Sequence, residues 1–179
     1  LEALSLRGCH RLTSKAVATL LLALPCLTAA RLAGLESASA LSALPTSLGV
    51  LELSSCEALD GPALHTLPAV CPQLQALVLS GVPALDDSTL RKVLRACTAL
   101  EHLDVFGCGS SRLHGHFLVH GVGSRSLRAL RLEAKRLGAD AAEAHEPRAP
   151  TARGLGLLHR ALSQGLTATL SAAPSSWTP

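Results

Sequence analysis

The chain has 179 residues, 48% hydrophobic and 16% charged, which is long enough and apolar enough to bury a sizeable core and favours a folded body over a disordered one. Leu and Ala supply most of the apolar share, with two Phe, one Trp and no Tyr, so the core needs many equivalent aliphatic positions. The formal net charge of +3 and the scarcity of base-stacking aromatics argue against nucleic acid as a partner, and no apolar run approaches the ~20 residues of a membrane span.

One pattern organises the chain from its first residue. Leu1-x-x-Leu4-x-Leu6-x-x-Cys9 recurs from Leu48 (Leu51, Leu53, Cys56), from Leu74 (Leu77, Leu79, Val82) and from Leu100 (Leu103, Val105, Cys108). Weaker copies begin at Leu27 (Ala30, Leu32, Leu35) and Leu127 (Leu130, Leu132, Lys135). Successive starts differ by 26, 21, 26, 26 and 27 residues. Alternation across each Leu-x-Leu turns the leucines to one face of a short strand and the intervening residue to the other.

Between the strands the spacing becomes helical. Ala16–Leu24 follows Arg7, Arg11 and Lys15 in the manner of a secretory signal, but the repeat register accounts for it as a buried helix. Leu64, Leu67 and Val70 form a second helical face, and Leu90, Val93 and Leu94 a third, with Asp86-Asp87-Ser88 supplying capping oxygens. The unit from Leu27 is five residues shorter than its neighbours, and in Gly109–Ser126 the apolar helix pattern is expected to lapse. A single unit cannot bury its own apolar face, so the expected fold is an α/β solenoid, with short parallel strands on a concave side and helices on a convex one. Residues 1–138 form the repeats. The remainder, 139–179, reads as a linker, a possible capping helix over about 153–170 around Leu155, Leu158, His159 and Leu162, and a disordered tail. Met is absent even at position 1, and an N-terminal portion is expected to precede Leu1.

The unit Leu74–Leu90, and Leu1–Ala16 with Cys9, Leu12 and Thr13, closely resembles the cysteine-containing leucine-rich repeats of F-box proteins. Cys71-Pro72 stands where that family carries Cys-Pro before the next strand. The resemblance implies a substrate-recognition role in an SCF-type E3 ubiquitin ligase, with the concave face gripping the protein to be ubiquitinated. These residues hold no F-box segment, so a Skp-type adaptor is implied only where an F-box lies upstream. The same repeats occur in F-box-less relatives of the antagonist of mitotic exit network protein, which implies the alternative of a scaffold or assembly factor. Either way the chain is expected not to be an enzyme and to need no cofactor.

The chemistry-bearing residues agree with that expectation. Cys9, Cys56 and Cys108 share one repeat position and read as small buried apolar residues, too far apart to bridge. Cys71 and Cys97, three residues before successive strand motifs, are the one pair worth checking for a disulfide. Unbridged thiols in this number imply a reducing compartment, the cytoplasm or nucleus. His114, His116 and His120 make the one metal-like cluster, but without thiolate or carboxylate company they read as solvated loop histidines. No nucleophile elbow, zincin motif or phosphate loop occurs.

What remains is the outward side of the strands. Its central column reads Ser5, Arg31, Glu52, Val78, Asp104, Arg131, preceded by Ala3, Ala29, Val50, Ala76, His102, Ala129 and followed by Arg7, Ala33, Ser54, Ser80, Phe106, Glu133. The expected partner-binding residues are Arg31, Glu52, Val78, His102, Asp104, Phe106 and Arg131, with Phe106 an exposed aromatic anchor.

Overall fold

The computed structural model describes residues 1–9, 11–108, 113, 117, 126–133 and 167–171. Among the described residues seven strands, all parallel, form one sheet in strict chain order: β1 (Ala3–Ser5), β2 (Ala29–Ala33), β3 (Val50–Ser54), β4 (Ala76–Ser80), β5 (His102–Asp104), β6 (Ala129–Glu133) and β7 (Thr167–Ser171). The register is the one the leucine spacing dictates. Leu4, Ala30, Leu51, Leu77, Leu103 and Leu130 lie side by side, as do Leu32, Leu53 and Leu79. The chain is thus an α/β protein built on a parallel sheet.

Helical segments return the chain from one strand to the next. Helix α1 (Ser14–Leu22) starts where the Thr13 hydroxyl accepts from Ala16 N at 3.3 Å, and it buries Ser14, Val17 and Leu21. Ser14 Oγ in turn accepts from Glu36 N and Ser37 N, each at 3.0 Å, which ties this unit to the next. The short second unit uses a 3-10 helix, Ala38–Ala43. Its steeper rise, about 2.0 Å per residue against 1.5 Å, lets fewer residues cover the return. Helices α2 (Gly61–Leu64) and α3 (Leu67–Val70) serve the third unit, with Asp60 Oδ1 accepting from Ala63 N at 2.9 Å. Helix α4 (Asp87–Ala96) is capped by Asp86, whose Oδ1 accepts from Thr89 N at 2.7 Å.

The core lies between the inward strand leucines and these helices. Leu27, Leu48, Leu74 and Leu100, which open four of the units, are wholly buried, as are Leu51, Leu53, Leu77 and Leu79. Edge position changes the outcome for the first unit. Leu4, expected to be fully buried, is only partly so, and Leu1 and Leu12 are exposed although Leu48, Leu59, Leu74 and Leu85 at the same repeat positions are not. The cause is that β1 is the end strand of the sheet and has a neighbour on one side alone.

Two segments depart from expectation. The stretch in which the helix pattern was expected to lapse contributes Leu113 and Phe117 to the core, and Phe117 is fully buried. Its N–H donates to Asp87 Oδ1 at 3.2 Å, so Asp87 in the first turn of α4 holds the following unit as well. Thr167–Ser171, placed across the expected capping helix and the start of the tail, is a strand that pairs with β6, Ala168 opposite Leu130 and Leu170 opposite Leu132. The rest of the expected linker, capping helix and tail lies outside the described residues.

A left-handed turn closes each of the first five strands at one repeat position. Gly8, Gly34, Gly81 and Gly107 occupy it with φ of 78°, 65°, 64° and 72°, and Ser55 takes it with φ 51°. A side chain at Gly81 would also meet the Ser55 backbone, since its Cβ would lie 3.3 Å from Ser55 N and Cα.

Two stability outcomes follow from this geometry. Leu77→Ala, in the middle of the stack, should cost about 2–5 kcal/mol in urea titration and Leu4→Ala clearly less; equal losses would contradict the difference in burial. Ser55→Gly should relieve left-handed strain and stabilise the fold by up to about 1 kcal/mol, whereas Gly81→Ala should destabilise it by about 1–2 kcal/mol. Opposite signs at one repeat position are the expected signature, and a stabilised Gly81→Ala protein would disprove the turn.

Candidate protein-binding face

Alternation sends the strand-centre residues to the sheet face turned away from the core. Carboxylates on this face cannot stay buried without partners, because desolvating an unpaired charge is costly. The neighbouring strands supply those partners. Glu52 on β3 is only 7% exposed. Its Oε1 accepts from Arg7 Nε at 2.7 Å and from Arg7 Nη2, and from Ser54 Oγ at 3.0 Å. Arg31 on β2 brings its Nε within 3.7 Å of Oε2. One carboxylate therefore holds two arginines from the two preceding units.

A second cluster sits at the other end of this face. Asp104 on β5 is 9% exposed, accepts Phe106 N on Oδ1 at 2.9 Å, and accepts Arg131 Nη1 on Oδ2 at 3.2 Å. The Arg131 guanidinium lies over the Phe106 ring, 4.6 Å from its centroid, in a cation–π contact. Phe106 was expected to be exposed. It is instead half-buried beneath Arg131, whose own side chain is 11% exposed. Glu52 and Asp104, both expected partner contacts, are likewise more buried than an outward position implies. Their role on this face is to fix arginines. Between the clusters lie Val78, half-buried, and the exposed Val50 and His102.

Thus the structure brings Arg31 and Glu52 together, and Asp104, Phe106 and Arg131 together, with His102 and Val78 on the strands beside them. Arg7 is the member that the sequence reading did not include among the partner residues. It lies beyond the end of β1, and only the register and the length of its side chain bring it across β2 to Glu52.

The cysteines take positions set by depth. Cys56, Cys71, Cys97 and Cys108 are buried, Cys9 and Cys26 are exposed, and none of the six is in a disulfide. Cys9 was expected to be buried like its repeat counterparts; the end position of β1 leaves it exposed. Cys71 and Cys97 form no disulfide. Burial pushes both thiols up to about 11, and Cys97 adds a smaller upward push on Cys71. Cys56 is also raised by burial, against the opposing pull of backbone hydrogen bonds at Leu35, Gly34 and Ser54. Such thiols are poor nucleophiles at neutral pH. His114, His116 and His120 lie outside the described residues. Among the described residues no three metal-ligating side chains gather into a metal site, and no helix is long and apolar enough to cross a membrane.

No family model matches the chain, and no curated protein matches it. Among solved structures it is similar to the tropomodulin C-terminal domain from Caenorhabditis elegans, with a TM-score of 0.50 at 12% identity, covering 92% of this chain and 84% of that one. A second similar structure, a mandelate racemase/muconate lactonizing protein from Herpetosiphon aurantiacus, has a TM-score of 0.40 at 12% identity and is spanned to 46% of its length. The first likeness bears on the fold alone; the second carries no argument.

The buried thiols set a pH dependence. The folded state holds the Cys71 and Cys97 protons more tightly than the unfolded chain, so raising the pH favours unfolding once the unfolded thiols ionise. Their contribution to stability should be complete below pH 9.0 and fall as the pH rises toward about 11. Comparing denaturant midpoints of the parent and a Cys71→Ala/Cys97→Ala protein across that range isolates the effect. Identical pH slopes would rule out these thiols as its source.

Proposed function

We propose that this chain is a leucine-rich-repeat solenoid, a horseshoe with its strands on the concave side, and that it holds a protein partner there without catalysing a reaction. The fold supports this reading through its repeated strand-and-return units in unbroken chain order, and the tropomodulin likeness is compatible with it. The observation that carries it is the state of the open sheet face. Its carboxylates Glu52 and Asp104 are already paired with arginines from neighbouring units, so what this part of the face offers a partner is a fixed set of arginines, aliphatic groups and one half-buried ring. Rigid aromatic and arginine groups make effective binding anchors because little freedom is lost on association.

By its resemblance to the repeats of F-box proteins, the role we assign to this face is substrate recognition in an SCF-type ubiquitin ligase, in the cytoplasm or nucleus. A Skp-type adaptor enters this reading through an F-box elsewhere in the protein. The second reading, a repeat scaffold with no ubiquitin role, shares the same face and the same unbridged cysteines.

Photo-crosslinking residues placed at Val50 and His102 on the sheet face, and at Leu22 and Arg95 on the helices, test the face in cells. The expected outcome is one discrete partner band from the first pair and none from the second, weakened about tenfold or more by Phe106→Ala. Bands from the helix positions alone would refute the sheet-face reading. The half-life of the captured protein then separates the roles. Depleting this chain should lengthen it if the partner is a ligase substrate, and an unchanged half-life favours the scaffold.

A further inference from the structure

The two arginine clusters differ in what they leave available. Arg131 is spent: it is paired with Asp104, stacked on Phe106 and 11% exposed on its side chain. Arg7 and Arg31 are held at their inner ends by Glu52, yet their side chains remain 54% and 47% exposed. Each guanidinium has five N–H donors in a planar fork. The Glu52 contacts occupy Arg7 at Nε and Nη2 and draw Arg31 by Nε alone. Two cations converge on one anion, so the cluster carries one net positive charge. The carboxylate that gathers them is more than nine-tenths buried and cannot swing out to compete for their outer donors.

We infer that Arg7 and Arg31, pinned from beneath by Glu52, form a carboxylate-binding site on the open sheet face, one that takes an acidic side chain of the protein partner. This rests on the reading of that face as the partner-binding surface. The choice of a carboxylate follows from charge: a monoanion balances the single excess positive charge, whereas a phosphate dianion would overshoot it. Paired N–H donors in a fork also match the two oxygens of a carboxylate. The surroundings narrow the partner further. Val50 and Val78 lie on the two strands after Arg31, about 5 and 10 Å along the sheet. The fitting partner surface therefore presents an Asp or Glu with an aliphatic group about 5–10 Å away.

Glu52 makes the site more than a patch of positive charge, and this separates the inference from general electrostatics. If charge alone attracted the anion, Glu52→Gln would strengthen binding by removing a negative charge. If pinning matters, Glu52→Gln frees both arginines and weakens binding although the net charge rises.

The test titrates the full chain, labelled for observation of arginine Nε–H resonances, with sodium acetate and separately with inorganic phosphate at constant ionic strength. Arg95, exposed on α4, is the internal reference. Arg7 and Arg31 should shift together and saturably with acetate, with a midpoint at least tenfold below that of Arg95. Arg31→Gln, an exposed substitution that leaves the core untouched, should abolish the saturable shift of Arg7. Glu52→Gln, checked for folding by its melting curve, should bring Arg7 and Arg31 to the weak response of Arg95. Three results would overturn the inference: midpoints indistinguishable from that of Arg95, tighter acetate binding by Glu52→Gln, or a phosphate midpoint below that for acetate. The outcome is separable from the fate of the sheet-face reading. A face that crosslinks a partner but shows no acetate preference sinks the site alone, and a saturable acetate site on a face that crosslinks nothing sinks the partner reading.

Discussion

Each unit of this protein can bury its leucines only against the unit beside it. Leu51 and Leu77 are wholly buried because β2, β3, β4 and β5 run in register on either side of them. A shift of one residue in any strand would turn that set of leucines to the open face. The same constraint fixes where the helices return, which residues point outward, and which charges meet. Its cost appears at β1, where Leu4 is only partly buried and Leu1, Leu12 and Cys9 are exposed in positions that are closed elsewhere.

Keeping the register also requires that each strand stop and turn in the same way. The chain does so with a left-handed residue ahead of the cysteine position, a glycine in four units and Ser55 in the third. Backbone bonds link these turns from unit to unit: Gly34 N donates to Ser54 O at 3.0 Å, Ser55 N to Ser80 O at 2.7 Å and Gly81 N to Gly107 O at 3.1 Å. The buried thiols lie inside this framework. Cys108 Sγ, for example, reaches Leu79 O of the preceding unit at 3.1 Å. Cys56, Cys71 and Cys108 act as small apolar residues that also satisfy a carbonyl.

Electrostatics on the open face follow from the strand spacing. Adjacent strands lie about 4.8 Å apart, so residues at the same repeat position are near neighbours whatever their separation in sequence. Arg31 beside Glu52, and Asp104 beside Arg131, are therefore set opposite each other by the ladder. The result is that Glu52 and Asp104 are covered and that Arg7, Arg31 and Arg131 are held by them. A surface prepared in this way loses less entropy when a partner docks than one with free long side chains.

Much of the fold was legible in the chain itself. The starts at Leu1, Leu27, Leu48, Leu74, Leu100 and Leu127 locate six of the seven strands and their register, because leucine at fixed spacing is a direct record of which side chains face the core. The cap at Asp86 was readable for a similar reason: it acts on a backbone group three residues away. Strand β7 escaped because Gly165 and Ala168 stand at two of the three leucine positions, although the alternation in Thr167-Ala-Thr-Leu170 carries a weak trace of it. Phe117 was missed because one bulky ring can fill space that other units fill with several leucines, and that substitution leaves no periodic mark. On the open face the sequence identified the columns and their residues, but not their state. Whether Phe106 is bare or covered, and whether Glu52 is free or holds two arginines, depends on side chains from strands 25 to 45 residues away, as in Arg131 over Phe106 and Arg7 on Glu52. Periodicity determines the direction in which a residue points, since that is a property of its own strand. Pairing is decided by reach across the sheet, and only the tertiary structure brings the partners within that reach.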